Sequence, residues 1–398
     1  MDIRFSTGCK LLDMVVGGAK GVYGFPSGRF INIVGDKSAG KTFLSNEIIA
    51  SAYHKYGSKK FKWVYDDCES GYSFDTESMY GFSIMPDEPI HSTTVEEAFC
   101  NISDFAKSLK DDQFGIYVLD SLDGLTSDEQ NKQAEERLDA FHDNKIYDKG
   151  SYNMGKPKYL SREFFPQLCS VIENKNILVI IISQIRENVD MFSFEKFSRS
   201  GGKALDFYAH SVIWLATCKK ITKKDRAVGV VVKAKTTKSK TPRPFRECFF
   251  SFLYDYGLDS IGTSVDYLFD LRTDKGELNK KANAIQWNGG ISNLSLVDLK
   301  EFLSEYELEG KYQNSKYFDG KANADDIFDF IQSKKEYREK FVEKFGDSMN
   351  RDELIEYIEN ENLESELDER VEAKWEEIES SIKSNRKKKY ATIPEVNE

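Results

Sequence analysis

The stretch FINIVGDKSAGKT, residues 30–42, joins an apolar run to a glycine-rich turn. From Gly35 to Thr42 it matches the pattern G-x-x-x-x-G-K-[ST] in full, and a helix-length pattern follows over 41–56. In such a loop the glycines let backbone N–H groups turn inward around phosphates, the lysine adds a positive charge, and the hydroxyl can bind Mg²⁺. The strand before and the helix after it disfavour a chance glycine turn. The predicted phosphate-binding residues are Gly35, Asp36, Lys37, Ser38, Ala39, Gly40, Lys41 and Thr42.

Strand-like and helix-like patterns alternate along the chain after this loop. Because apolar strands that alternate with helices form parallel sheets covered on both faces, we expect an α/β fold with a mostly parallel, twisted sheet flanked by helices. The last three strand patterns have little helix between them and are predicted to be antiparallel additions at one edge. The strand patterns cover 30–34, 63–65, 116–119, 177–182, 211–215, 228–232 and 248–253, and the helix patterns cover 41–56, 95–109, 127–142 and 159–174.

The composition changes near residue 275, which suggests a domain boundary. We expect a core over 1–275, a smaller, mainly helical and acidic C-terminal region over 276–382, and a disordered tail over 383–398. Residues 351–382 carry apolar side chains in rough helical register and are predicted to form a long acidic helical stretch.

The net charge of −11 is unevenly distributed. Residues 346–380 contain 14 acidic and 3 basic side chains, whereas 219–246 contain 11 basic and 1 acidic. A concentrated basic segment suits a polyanion such as nucleic acid, although a solvated β-ribbon would have the same composition. No apolar run is long enough to span a membrane, and the six cysteines are scattered singly, which disfavours zinc sites and a disulfide scaffold. These features are typical of a cytoplasmic protein.

Polar side chains follow three of the predicted strands. Asp120 ends an apolar strand that we expect beside the strand that precedes the glycine-rich loop. It is predicted to hold Mg²⁺ together with Thr42, although it could instead cap the next helix. Asp67 and Glu69 end another strand, and either could act on an attacking water. Gln184 ends a third strand, where an uncharged amide can bind a γ-phosphate oxygen and release it on hydrolysis.

In this order, these motifs resemble the RecA family of homologous recombinases and its phage branch, the UvsX-like proteins. The resemblance covers roughly residues 6–270. It rests on STG and LLD (6–13), GDKSAGKT (35–42), VLDS (118–121), SQIRENV followed by SGGKALDFYA (183–209), and KAKTTKSKTPRPF (233–245). The segment 183–209 is its most specific part.

The resemblance implies a RecA-like P-loop ATPase core that uses ATP and Mg²⁺. The implied activity is DNA recombination and repair: polymerisation on single-stranded DNA as a helical filament, homologous pairing with double-stranded DNA, strand exchange and DNA-dependent ATP hydrolysis. Single-strand-binding and mediator proteins would be further partners. The phage likeness implies action in a bacterial host cytoplasm.

The resemblance also implies residue roles. Glu69 would activate water, Gln184 would sense the γ-phosphate, and Lys238 and Lys240 would reach a neighbouring subunit's ATP. Residues 186–200 and 150–158 would be two DNA-binding loops. The implied DNA-binding residues are Met154, Arg186, Val189, Gly201, Gly202, Lys203, Lys219, Lys220, Lys233 and Lys235. Bases stack on or are spread by apolar side chains while cations track phosphates, so the composition of these segments suits single strands. The phenylalanines at 192, 194 and 197 could equally pack against a neighbouring subunit.

Two other functions remain open. A ring-forming RecA-core motor or helicase typically uses an arginine finger, whereas Lys238 and Lys240 favour the recombinase. A mediator with a relic ATP site is disfavoured because Lys41, Glu69 and Gln184 are all present.

The oligomerisation mode stays open as well, because only residues 1–5 precede the STG motif where the family usually carries a docking helix and strand. The acidic segment is expected either to limit access to duplex DNA or to contact other proteins.

Overall fold

The computed structural model describes residues 3–17, 21–143, 155–187, 197–199, 201–241, 243–283, 285, 287, 296–305, 327, 330–331, 333–345, 349–384 and 386. In chain order the described strands are β1 (Arg4–Phe5), β2 (Phe25–Pro26), β3 (Arg29–Gly35), β4 (Phe61–Asp67), β5 (Phe114–Asp120), β6 (Ile177–Gln184), β7 (Arg186–Glu187), β8 (Phe197–Ser198), β9 (Ser211–Lys223), β10 (Arg226–Ser239), β11 (Glu247–Leu253) and β12 (Gly257–Leu258).

The described helices lie between and after these strands. They are α1 (Lys10–Gly17), α2 (Lys41–Lys60), α3 (Thr76–Tyr80), α4 (Val95–Ser108), α5 (Asp128–His142), α6 (Gly155–Tyr159), α7 (Phe165–Ile172), α8 (Gly202–Tyr208), α9 (Ser260–Leu268), α10 (Leu296–Glu305), α11 (Lys335–Phe345), α12 (Arg351–Asn360) and α13 (Glu364–Ser381). A π-helical turn (Leu160–Phe164) joins α6 to α7, and a 3₁₀ turn covers Lys280–Asn283.

One eight-stranded sheet organises the chain, in the order β12-β11-β10-β9-β3-β6-β5-β4. The predicted α/β fold, a mostly parallel sheet flanked by helices, is confirmed. One detail of the prediction is wrong: β5, which carries Asp120, is not beside the P-loop strand β3, because β6 pairs with both. The connection after β5 is long enough for the next strand, β6, to lie between β5 and β3. The order of strand patterns along the sequence does not reveal this position.

The strands after residue 210 extend the sheet past β3. β10 and β11 run antiparallel to their neighbours, as predicted, and so does the short strand β12, which the sequence patterns did not include. β9, however, pairs parallel with β3, so its prediction as an antiparallel addition is wrong. The helix α8 between β6 and β9 spans only 7 residues, too few to give the helix pattern that marks a parallel crossover in the sequence.

Alternating side chains of β3 pack in two apolar clusters, one on each face of the sheet. Ile31 and Ile33 belong to one cluster, whereas Phe30 and Val34 belong to the other. Burial on both faces explains the nearly continuous apolar run in the sequence.

The acidic C-terminal stretch forms two helices rather than one. α12 ends at Asn360 and α13 begins at Glu364, and Asn362 between them has a φ of 55°. Asn is one of the few residues that tolerate this left-handed conformation, which breaks the helix. The boundaries at 275 and 382 stay predictions, and most of the 383–398 tail lies outside the described residues.

Both acidic helices contribute to the cluster that contains Ile31 and Ile33. Their buried members are Leu354, Ile358, Leu367 and Val371. Removing residues 346–398 would therefore also remove core side chains, so such a deletion does not isolate an effect of charge.

A buried ionic network attaches α12 to α9. The Arg351 guanidinium donates to both carboxylate oxygens of Asp266, at 2.6 and 3.3 Å, and to Asp259 at 3.3 Å. Arg272 also pairs with Asp266, at 2.6 Å. Because removing one partner leaves a buried charge less compensated, such networks are costly to break.

We predict that Arg351→Ala lowers the free energy of unfolding by about 3 kcal/mol, near the low end for buried ion pairs because Arg272 still compensates Asp266. Urea unfolding measures this. Lys335→Ala, which removes an exposed pair with Glu339, is the control and should cost less than about 0.5 kcal/mol. Equal losses in the two variants would contradict the prediction.

Candidate functional site

The glycine-rich loop of residues 35–42 includes a glycine with left-handed backbone geometry. Gly40 has a φ of 82° directly before α2 begins at Lys41. A Cβ built on Gly40 would lie 2.6 Å from the Phe252 ring, so position 40 requires glycine both for its backbone and for its close approach to β11. The loop therefore presents the N-terminus of α2, whose unpaired N–H groups favour anions.

The Lys41 side chain folds back over the loop. Its ammonium donates to the carbonyl oxygens of Gly35, at 3.1 Å, and Asp36, at 2.8 Å. Burial lowers the pKa of Lys41, and the nearby carboxylates of Asp120 and Glu69 oppose that shift. The amine thus lies among acidic groups at the centre of the loop.

Thr42 and Asp120 meet as predicted. The Thr42 hydroxyl donates to Asp120 Oδ2 at 2.8 Å, and the Tyr65 hydroxyl donates to the same oxygen at 2.6 Å. Burial raises the pKa of Asp120, while these two hydrogen bonds act in the opposite direction. A hydroxyl and a carboxylate side by side are the hard oxygen donors that Mg²⁺ accepts when phosphates complete its shell. The residues therefore fit this ion, and Tyr65 is a contact that sequence reasoning missed.

The acidic residues after β4 have different roles. Asp66 is fully buried and accepts hydrogen bonds from Ser92 and Tyr117. Asp67 accepts from the backbone N–H groups of Glu69, at 3.2 Å, and Tyr72, at 2.9 Å, and so shapes the turn. Of the two candidates, only Glu69 has an exposed side chain directed toward the other strand ends.

Gln184 lies beside the loop. The parallel register of β3 and β6 pairs Gly35 with Gln184. The Gln184 amide donates to Glu69 Oε1 at 2.7 Å, and Ser121 donates to the same oxygen at 2.6 Å. The two predicted strand-end groups are therefore in direct contact at the edge of the sheet that carries the P-loop.

An aromatic cleft of about 280 Å³ adjoins the loop. Its apolar lining includes Phe43 of α2, Phe74 after β4, and three residues from β10, from β11 and from the turn that follows β11: Val230, Phe252 and Tyr254. The Phe43 ring lies 5.0 Å from that of Phe74 and 5.1 Å from that of Phe252. An apolar cleft lined by aromatic rings next to a phosphate loop suits a nucleobase. Sequence reasoning missed these residues, although aromatic pairs in GYSF (71–74) and FLYDY (252–256) were a signal.

Lys238 and Lys240 lie at the opposite end of the sheet from the P-loop. β10 pairs Lys238 with Val212 near the start of β9. The next residue, Ser239, pairs with Ser211, which in turn pairs with Ile31 near the start of β3. The Lys238 ammonium donates to the carbonyls of Asp206 and Phe207 at the end of α8. The Lys240 side chain is exposed.

The predicted DNA-binding lysines of the β9–β10 hairpin are partly paired. Lys219 contacts Glu277 at 3.2 Å, and Lys233 contacts Glu247 at 2.6 Å. Lys235 pairs with Trp214 across the ladder, and Lys220 is exposed. The hairpin also contacts the P-loop, because the Thr217 hydroxyl donates to the Ser38 carbonyl at 3.2 Å.

The remaining predicted DNA-binding residues lie around α8 or outside the described part of the chain. Gly201 (φ 82°) and Gly202 (φ 48°) start α8, and Lys203 in its first turn is exposed. Arg186 is described for its backbone only. Met154, Val189 and the phenylalanines at 192 and 194 lie outside the described residues.

We predict that Gly40→Ala lowers nucleotide affinity at least about tenfold, since the new methyl group must displace Phe252 and the loop with it. Titration with a fluorescent ATP analogue measures this. Gly81→Ala is the matched control, because Gly81 has a similar φ of 79° but open space around it. It should cost roughly 1 kcal/mol of stability and leave affinity unchanged. Tight binding by the Gly40 variant would contradict the steric argument.

Within the described residues, no helix has the length and apolar character needed to cross a bilayer. A solved structure of the RadB recombinase aligns with a TM-score of 0.43 and 18% identity, over 64% of this chain and 98% of that one.

Sequence comparisons connect the chain with bacterial RecA proteins. The family model of the RecA N-terminal domain matches residues 146–259, which include Gln184, α8 and the β9–β10 hairpin. Protein RecA of Thioalkalivibrio sulfidiphilus is 26% identical over 309 residues, 77% of this chain and 82% of that protein. Protein RecA of Cereibacter sphaeroides is 28% identical over 263 residues, 66% of this chain and 69% of that protein. These similarities support a relationship of the chain to the RecA family of recombinases.

Proposed function

We propose that this protein is a DNA-dependent ATPase that polymerises on single-stranded DNA and promotes homologous pairing and strand exchange. The observation that carries the proposal is the hydrogen bond between Glu69 and Gln184 at the P-loop edge. This hydrogen bond joins a carboxylate suited to water activation to the end of the strand that precedes the predicted DNA-binding loop 186–200. The similarity to RecA proteins supports the same function.

In the proposed hydrolysis, the residues of the loop bind and orient ATP. Backbone N–H groups at the start of α2 and the Lys41 ammonium would hold the phosphates, while Thr42 and Asp120 would hold Mg²⁺. Mg²⁺, when bound, supplies charge neutralisation at the β- and γ-phosphates. The aromatic cleft would take the base. Glu69 would accept a proton from the attacking water, as its exposure and its contact with Ser121 allow.

Gln184 would couple this reaction to DNA. Its amide donates to Glu69 in the structure and lies opposite Gly35, within the same strand edge as the phosphate loop. A γ-phosphate oxygen competes for this donor, so ATP binding would shift Gln184 away from Glu69 and with it the segment that follows. Hydrolysis would return it. Such exchange of one hydrogen-bond partner is how nucleotide switches order or release a loop.

DNA would bind through the basic segment and the two segments that resemble DNA-binding loops. Lys203, Lys220 and Lys235 are exposed, as contacts to phosphates require. Lys219 and Lys233 would exchange their glutamate partners for phosphate groups. Since each neutralised phosphate releases counterions, binding would weaken as salt rises.

We predict that single-stranded DNA stimulates ATP hydrolysis by the wild type, and that Gln184→Ala reduces this stimulation about tenfold or more because the switch donor is lost. Steady-state phosphate release with and without single-stranded DNA measures both. Gln167→Ala, which removes an exposed glutamine of α7, is the control and should behave as the wild type. Hydrolysis that ignores DNA in every variant would contradict the proposal and favour the motor or mediator alternatives.

Lys240 would act on the nucleotide of a second copy, because it lies at the far end of the sheet from its own P-loop. A filament would bring this end of one subunit to the P-loop edge of the next, where a lysine can stabilise charge that develops on the phosphates. This arrangement makes each ATP site depend on two chains.

We predict that Lys41→Ala and Lys240→Ala are each inactive alone, and that an equimolar mixture recovers roughly a quarter of wild-type hydrolysis. Random mixing gives this fraction because one of four neighbour combinations has both an intact P-loop and an intact Lys240. A Lys41→Ala, Lys240→Ala double variant mixed with Lys41→Ala is the control and should stay inactive. No recovery in the first mixture would show that Lys240 does not act in trans.

A further inference from the structure

Arg199 directs its side chain into the protein although it lies next to a predicted DNA-binding loop. Only 6% of the side chain is exposed. The guanidinium donates to the Asn32 side-chain oxygen in β3 and to the Asp206 carboxylate in α8, and it lies 5.8 Å from the centre of the Trp214 ring. A buried arginine that uses its planar fork on two partners holds them in a fixed relative position. It is therefore poorly placed to contact DNA itself.

Asn32 connects Arg199 to β6 through further hydrogen bonds. It is fully buried in the middle of β3. Its amide nitrogen donates to the carbonyl of Ile181, at 2.7 Å, and to the hydroxyl of Ser183, at 2.9 Å. With Arg199 on the oxygen, both donor positions and one acceptor position of the amide are in use. A polar side chain in this position of a central strand is costly unless it is satisfied, so these contacts define one arrangement.

Ser183 directly precedes Gln184. The chain leaves β6 at Gln184, and its backbone forms β7 and then returns through β8 to Arg199. β7 and β8 pair antiparallel, Arg186 with Ser198 and Glu187 with Phe197. The departing chain is therefore held at Gln184 by Glu69, and the returning chain is held at Arg199 by Asn32. One end of the segment is thus fixed at the nucleotide edge of the sheet, and the other end is fixed to the middle of β3.

We propose that Arg199 is a positioning residue that couples ATP hydrolysis to DNA binding by tying the returning end of this segment to β3 and β6. The relay runs from Arg199 through Asn32 to Ser183 beside Gln184. A shift of Gln184 then moves both ends of the segment together. In the same way, DNA bound near α8 affects the hydrogen bond between Gln184 and Glu69. This inference rests on the proposed function and adds a residue to it that acts through others.

In this role Arg199 affects the coupling between ATP hydrolysis and DNA binding, but it takes no part in the hydrolysis reaction itself. Arg199 touches neither the P-loop nor Glu69 in the described contacts, so its loss should leave DNA-free hydrolysis intact. Without it, Asn32 loses the donor to its oxygen, and the returning chain loses its attachment to the central strand. A lysine can pair with Asp206 but cannot bridge both partners and lie along Trp214, so it should restore coupling only in part.

The test compares wild type, Arg199→Ala and Arg199→Lys in DNA-free and DNA-stimulated ATP hydrolysis. It adds the ratio of single-stranded DNA affinities measured with a non-hydrolysable ATP analogue and with ADP. In Arg199→Ala we expect DNA-free hydrolysis within about twofold of wild type, with both the stimulation and the affinity ratio reduced at least about fivefold. Arg199→Lys should fall between the two. Arg243→Ala, which removes an arginine–carboxylate pair elsewhere in the protein, with Glu379, is the control and should keep full coupling.

A merely structural role would lower thermal stability and DNA-free hydrolysis together, in place of the coupling ratio. If Arg199→Ala does not fold, Ser183→Ala tests the relay instead. It leaves Arg199 in place and removes the hydroxyl that accepts from Asn32 at the end of the relay. Reduced coupling in that variant supports the relay, and unchanged coupling overturns it. If DNA does not stimulate ATP hydrolysis by the wild type, both the proposed function and this inference are wrong. If DNA stimulates hydrolysis by the wild type and by Arg199→Ala equally, only this inference is wrong.

Discussion

The parallel pairing of β3 with β6 is the constraint on which the site depends. Its register places Gly35, the first residue of the phosphate loop, opposite Gln184. A slip of one residue would turn the buried side chains of both strands to the wrong faces, so two apolar clusters enforce this register. The free energy that fixes Gln184 beside the loop therefore comes from the core of the sheet, and a single hydrogen bond at its edge, to Glu69, can break and re-form without disturbing the fold.

Internal contacts moderate the charge separation along the sequence. Glu379 of α13 pairs with Arg243 and Arg246, the last two cations of the basic segment. Glu372 accepts from Lys10 at 2.9 Å. The acidic helices thus neutralise one end of the basic segment and, through their buried side chains, complete the core beside it. Restriction of duplex DNA by this region remains a hypothesis.

The sequence predicted the parts of the site that local pattern controls. A strand, a glycine loop and a helix in succession define the P-loop, and an acid at a strand end suggested Asp120. What it could not predict depends on the order of strands in space. The position of β6 between β3 and β5, the parallel entry of β9 and the contact of Tyr65 with Asp120 all join residues far apart in the chain. Arg199 is a further case, because it lies within the predicted DNA-binding loop 186–200, whereas the fold buries its side chain against Asn32.

The long strand β9 has a mechanical consequence. Its first half is held in the core beside β3, and at Thr217 it is tied to the Ser38 carbonyl of the P-loop. From that point it continues to Lys223, a further 6 residues or about 20 Å at the usual rise per residue. A rotation of roughly 10° at the tie would carry the tip of the hairpin through about 3.5 Å, given that length. The hairpin tied at this point would act as a lever: a small rotation at Ser38 would become a displacement comparable to the length of a hydrogen bond at its cationic end.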